Sequence, residues 1–180
     1  MALTDVYTGA NGTLFLQGGD GPEGADATAI LDLASYTIAD VGRVTNVALH
    51  VDTDLEEFHE IGRRHAVSLN PGNIHIYGTA ERAYVNGALL YLLLGRGALP
   101  NTTNEPYVQP ALTMNVSVQD PAVPGKRLIL DLYGVQFQNW SFAMPEDDFV
   151  MENVRFKALR INVRDVEDTN VVQPQFPQPS

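Results

Sequence analysis

Apolar and polar side chains alternate along most of this chain, and the alternation predicts strands. In residues 43–52 (RVTNVALHVD), Val47, Leu49 and Val51 fall on one face; Asn46, Ala48, His50 and Asp52 fall on the other. Residues 73–83 repeat the pattern, with Ile74, Ile76, Gly78 and Ala80 opposite Asn73, His75, Tyr77, Thr79 and Glu81. Residues 111–119 put Leu112, Met114, Val116 and Val118 inward. Successive side chains of a strand point to opposite faces, so these segments imply a sheet with one dry and one wet face. Residues 127–137 are apolar on both faces, which suits a central strand. A further segment, 139–149, holds Trp140 and the acidic turn Pro145-Glu146-Asp147-Asp148. In 153–164 the phase slips: Val154, Phe156 and Ala158 share one face, whereas Leu159, Ile161 and Val163 share the other. A bulge near Ala158 reconciles the two. A short strand is expected at 13–16.

Two segments depart from alternation. Residues 87–94 form a short helix that is apolar almost all round, opened by Val85 or Asn86, with Gly95 where a C-terminal cap favours glycine. Such a helix buries most of its surface, and a partner subunit is one way to complete that burial. Residues 25–36 read either as a weak helix or as an extended arm. Residues 17–24 (QGGDGPEG) read as a surface loop without the Lys-Ser/Thr spacing of a phosphate cradle. A polar connector is expected over 53–71 and a loop over 97–110, with a turn at 120–125. The connector reads as a solvated loop or as an arm reaching a neighbouring subunit. No internal boundary is visible, so 1–165 is expected to be one domain and 166–180 a polar, proline-rich tail.

Composition narrows the classes. A chain of 180 residues suits one domain with a substantial core. Its apolar stretch at 88–94 is far too short to span a bilayer, and the first residues lack the pattern of a secretory signal, so no membrane anchor is expected. There is no cysteine, which excludes disulfides, thiolate metal sites and thiol catalysis. The formal net charge of −11 opposes tight binding of nucleic acid, which rests on Lys and Arg at phosphates.

No catalytic cluster emerges. Of the histidines His50, His59, His65 and His75, the pair His50 and His75 could meet Asp52 if their strands pair, but wet-face polar residues are the ordinary explanation. The acids at 146–148 lack the spacing of a calcium loop. No metalloprotease, nucleophile-elbow or nucleotide motif occurs. Sequons at Asn11, Asn101, Asn115 and Asn139 read as coincidence without a secretion signal. No enzyme activity, cofactor or metal is expected.

Taken in order, RVTNVALHVD, EIGRRHAVSLNPGNIHIYGTAERAYVNGALLYLLLG, LTMNVSVQDPAVPGKRLILDLYGVQF and PEDDFVMENVRFKALRI resemble the tube proteins of bacteriophage tails. The resemblance covers about residues 43–163. It implies a mainly β fold with one α-helix: an antiparallel β-sandwich or half-barrel that joins a multi-subunit β-barrel. Copies would form rings, commonly hexamers, stacked into a hollow tube that passes the genome without binding it. Sheath, tape-measure, baseplate and tail-terminator proteins are the partners it implies, with synthesis in the host cytoplasm and a final place in the virion tail.

On that footing the candidate lumen face is Asn46, His50, Asp52, Asn73, His75, Tyr77, Thr79 and Glu81. A bore that lets phosphates slide should be acidic or neutral, and neither wet set holds Lys or Arg. Glu56, Glu57, Arg63 and Arg64 are the candidate inter-ring loop, its arginines meeting acids of the next ring. Two competing readings are a monomeric β-sandwich that binds a ligand such as a carbohydrate and a small hydrolase. The first leaves the apolar helix unexplained; the second has no motif.

Overall fold

The computed structural model describes residues 7, 9–32, 44–84, 86–98, 109–119, 123, 125–167 and 170–172. The strands are β1 (Gly12–Gly18), β2 (Val44–Phe58), β3 (Ser68–Ala83), β4 (Leu112–Gln119), β5 (Arg127–Ala143), β6 (Met151–Ala158), β7 (Arg160–Glu167) and β8 (Asn170–Val172). Two helices accompany them, α1 (Pro22–Leu31) and α2 (Ala88–Leu94). The fold is mainly antiparallel β, as the alternation predicts. The sheet is open, with the order β1-β4-β5-β6-β3-β2 and with β7 and β8 branching from β5.

One long hairpin organises everything. The first half of β5 pairs with β4 on one side and β7 on the other, so the strand that is apolar on both faces is indeed central there. Its second half pairs with β6, which pairs in turn with β3. β5 therefore belongs to two sheets, β1-β4-β5-β7-β8 and β2-β3-β6-β5. The hairpin changes sheet at Gly134 and Leu159. Gly134 has φ 63°, and a Cβ there would lie 2.6 Å from Leu159 Cδ1, so only glycine fits the corner. The Leu159 amide donates to the Tyr133 carbonyl at 3.0 Å, and the strand resumes at Arg160 in the opposite phase. This corner is the slip expected near Ala158.

The two sheets close around a core of Leu14, Leu16, Leu112, Met114, Leu132, Val135, Phe137, Val154 and Phe156, capped by α2 through Ala88, Leu89 and Leu92. Gly78 lets β3 approach this core: a Cβ there would come within 2.6 Å of the Phe156 ring. Gly95 ends α2 at φ 56°. The helix is less enclosed than its composition suggests, since Leu94 stays exposed.

Several expected boundaries shift. Pro22 starts α1 inside the segment read as a loop, because proline at the first helical turn forfeits no hydrogen bond. α1 then packs on β1 through Ala27 and Leu31. β5 runs unbroken through Trp140 to Ala143, past the end expected at 137 and into the segment that holds the acidic turn. The sheet also passes the boundary set at 165, since Val166 is buried and β8 pairs with β7. The end of the tail, 173–180, lies outside the described residues. So do 33–36 of the expected weak helix and most of the loop at 97–110.

The largest correction concerns 53–71, expected as a connector. β2 continues to Phe58 and β3 begins at Ser68, leaving only 59–67 as a turn. One register shift, between Thr53 and Leu55, sets Gly72 and Asn73 against Asp54 as a bulge.

Candidate functional site: a polar sheet face and a bare hairpin arm

The four-stranded sheet β2-β3-β6-β5 presents its outer face to solvent. Direct cross-strand partners share a face. Ala48 pairs with Thr79, His50 with Tyr77 and Asp52 with His75, so the expected wet sets of β2 and β3 lie together. Contacts tie them. The Tyr77 hydroxyl donates to Asp52 Oδ2 at 2.5 Å, and the His50 ring stacks on Tyr77 at 5.2 Å. His75 Nε2 lies 3.3 Å from Asp54 Oδ2. The Asp52 carboxylate accepts the phenol proton and so raises the Tyr77 pKa above its ordinary 10.0; the weaker causes are desolvation and Asp52's charge. Asn46 pairs with Glu81, and Asn73 falls in the bulge.

β6 and β5 extend this face in ways the separate strands did not show. Asn153 pairs with Glu81 and donates to its carboxylate at 2.7 Å. Arg155 sits opposite Thr79, and Lys157 opposite Tyr77; both are exposed. Ser141, Asn139 and Gln136 of β5 complete the rows. The face is therefore not free of cations: two bases stand among Asp52, Glu81 and neutral amides. The alternation of 153–158 placed them opposite the apolar set, but only the pairing of β6 with β3 brings them to this face.

Beyond Ile76, β3 has no β6 partner. The outer hairpin thus leaves the sheet as two strands, on the order of 25 Å long at ~3.3 Å per residue. One side is polar, with Asp52, Asp54, Glu56 and His75. The other carries Val51, Leu55, Leu69, Pro71 and Ile74, with Leu55 set directly against Pro71 and with Thr53 and Glu57 between them. All five are exposed, Leu55 at 59% and Ile74 at 65%. A lone two-stranded ribbon is marginal in water, and a bare apolar stripe on it calls for a covering partner. At the tip, Arg63 binds Glu60 at 3.6 Å and His59 binds Glu57 at 3.1 Å. Arg64 and Glu56 make no ion pair among the described residues.

Behind the polar face lies a network that sequence reasoning missed. Arg82 of β3 pairs with Glu152 of β6, and their side chains are 4% and 0% exposed. The Trp140 indole donates to Glu152 Oε2 at 2.9 Å. The Arg82 guanidinium also reaches the Asn86 carbonyl and Oδ1 at 3.3 Å, and that amide oxygen caps α2 by accepting from the Ala88 N–H. Every polar atom is matched, as burial demands.

A concavity of about 1090 Å³ lies elsewhere, lined by Phe15, Gln17, Asn115, Asp131, Tyr133 and Arg164 among others. Two of its charged groups, Asp131 and Arg164, are matched to each other. Arg164 grips Asp131 with two bonds of 2.7 and 2.9 Å, and Asn115 donates to the same carboxylate. No group of three or more metal-ligating side chains occurs among the described residues, where His50 stacks on Tyr77 instead. No described helix is long and apolar enough to cross a membrane.

No family model matches the sequence, and no curated protein matches it significantly. Solved structures do match the fold. A chain of the PVC sheath–tube complex, an extracellular contractile injection system in its extended state, superposes with a TM-score of 0.59 at 9% identity, over 91% of this chain and 95% of that one. The tail tube of SPP1 matches with a TM-score of 0.55 at 11% identity, over 97% and 93%. The cap that terminates the tube of the anti-feeding prophage matches with a TM-score of 0.59 at 10% identity, over 92% and 95%. The chain has the fold of the tube proteins of phage tails and contractile injection systems.

Proposed function

We propose that this chain is a structural subunit that assembles into rings, stacked as the hollow tube of a phage-type tail through which a genome passes. The proposal makes it a virion component produced in the host cytoplasm, without catalytic activity. The carrying observation is the pairing of a continuous polar sheet face with a hairpin whose apolar stripe no described residue covers. The fold likeness over nearly the whole chain supports the same reading. So does the dominance of non-cationic groups on the face: bases scattered among carboxylates and amides do not form the phosphate clamp of a nucleic-acid binder.

In this reading the lumen face is Asn46, His50, Asp52, Asn73, His75, Tyr77, Thr79 and Glu81, joined by Asn153, Arg155 and Lys157 of β6. The arm with Glu56, Glu57, Arg63 and Arg64 meets the adjacent ring, its stripe buried there and Arg64 facing an acid. Rings of six copies follow the family pattern, with sheath, tape-measure, baseplate and terminator as outer and end partners. Residues 1–172 would act as one body, with 173–180 as an appended tail.

Negative-stain microscopy of the concentrated, purified protein tests this: rings or hollow tubes are expected. A subunit lacking residues 56–64 should keep its β circular dichroism and form no tubes. Particles that stay single at high concentration, or normal tubes from the deletion, would refute the corresponding half of the proposal.

A further inference from the structure

All four histidines of the chain lie in one hairpin: His50 on β2, His75 on β3, and His59 and His65 in the turn between them. Each is exposed. Residues 50–75 also hold five carboxylates, Asp52, Asp54, Glu56, Glu57 and Glu60, and two bases, Arg63 and Arg64, a net −3 with neutral imidazoles. Of the 22 acids and 11 bases of the chain, 17 and nine remain outside this stretch, a net −8. Imidazole is the side chain whose ordinary proton uptake falls between pH 5 and 8. Four added protons turn the hairpin from −3 to +1 and leave the rest of the chain at −8.

We infer that proton uptake by these histidines promotes docking of the hairpin arm on a second copy of the chain, so that mild acid drives tube growth. This rests on the tube reading above and adds what regulates it. At alkaline pH the arm and the rest of the subunit are both negative, and an arm approaching another copy meets repulsion. In mild acid the two carry opposite signs and attract. The placement of the rings adds to this. His75 Nε2 lies 3.3 Å from Asp54 Oδ2, and His59 Nε2 lies 3.1 Å from Glu57 Oε2. A proton on either ring converts that contact into an ion pair. It also offsets the repulsion among Asp52, Asp54 and Glu56, which share one side of β2. His65 shares the turn with Arg63, Arg64 and Glu60, of which Arg63 and Glu60 meet at 3.6 Å. His50 stacks on Tyr77, whose hydroxyl is held by Asp52. Lys157 of β6 lies opposite Tyr77 and so borders both His50 and His75 on this face. Beyond Ile76 the arm is β2 and β3 alone among the described pairings, so its charge is set by its own residues.

The test is the critical concentration for tube growth of the full chain, read by pelleting and microscopy at about pH 5.5 and about pH 8, on either side of imidazole titration. Wild-type protein should need roughly tenfold less material at the lower pH, an ordinary size for linked equilibria. Salt at about 1 M should narrow the gap by screening. Combining His50→Gln, His59→Gln, His65→Gln and His75→Gln should remove the difference between the two pH values, with circular dichroism unchanged. That variant separates the histidines from the general loss of negative charge on acidification. His59→Arg with His65→Arg fixes two positive charges in the turn and should lower the critical concentration at the higher pH toward the acid value. Equal wild-type concentrations at both pH values would overturn the switch and leave the tube reading intact. A pH dependence that survives in the fourfold variant would also overturn it. If wild-type protein forms neither rings nor tubes at either pH, both proposals fall.

Discussion

Arg82 and Glu152 face each other across β3 and β6 in a buried ion pair that Trp140 and Asn86 complete. The pair lies at the junction of three elements: the wet sheet, the β5–β6 hairpin and the start of α2. Removing one member leaves a buried, uncompensated charge, which typically costs about 3–5 kcal/mol. Glu152→Gln and Arg82→Met should each shift urea unfolding of the dispersed subunit by about that much. In Glu152→Gln the emission of Trp140, the only tryptophan, reports the altered partner. Arg82→Met combined with Glu152→Leu should recover most of the loss, because an apolar pair carries no desolvation penalty. A single variant as stable as the parent would show that the pair is not set as described.

Tyr77 offers a test of the polar face in solution. Its pKa is raised chiefly because Asp52 accepts its proton. A raised pKa means that the folded state favours the neutral phenol. The associated stability is fully present below pH 10 and is lost as pH rises through the folded-state pKa. Spectrophotometric titration should therefore find a tyrosine that ionises above the ordinary 10.0. Asp52→Asn should move that transition down; an unchanged curve would disprove the Tyr77–Asp52 bond.

The corner at Gly134 makes a separable prediction. Alanine there meets both a left-handed backbone and the Leu159 side chain. Gly134→Ala should cost about 1–3 kcal/mol in chemical denaturation. Adding Leu159→Ala should return the steric share only, leaving about 1 kcal/mol for the backbone. Full rescue would mean that the backbone conformation is not constrained.

The arm should matter for assembly and not for folding. Leu55→Asp and Ile74→Asp alter exposed side chains that contact little within the subunit. The expected change in subunit stability is within about 0.5 kcal/mol, as for other surface positions. Tube formation by light scattering and microscopy should nevertheless be lost, because each carboxylate would be buried unpaired against a neighbour. Undiminished tubes would show that the stripe is not an interface.

Much of the fold was legible because strand periodicity is local. The dry and wet sets of 43–52 and 73–83, the central character of 127–132 and the slip near Ala158 all follow from side chains a few residues apart. The arm was not legible. Its polar side, Asp52, Asp54 and Glu56, resembles a solvated loop, and the bulge opposite Asp54 breaks the phase just where the pattern would have continued. Its apolar stripe is shared between two strands and emerges only once Leu55 is set against Pro71.

The sequence alone determined that the chain forms alternating strands around one apolar core, holds no thiol chemistry and carries a net negative charge, since each depends on composition or near neighbours. Tertiary structure decided which strands meet. It brought Arg155 and Lys157 beside Tyr77 and Thr79, buried Arg82 against Glu152 and left β2 and the end of β5 as borders. These depend on the register between distant segments, which hydrogen bonding and core packing fix only when the whole sheet forms.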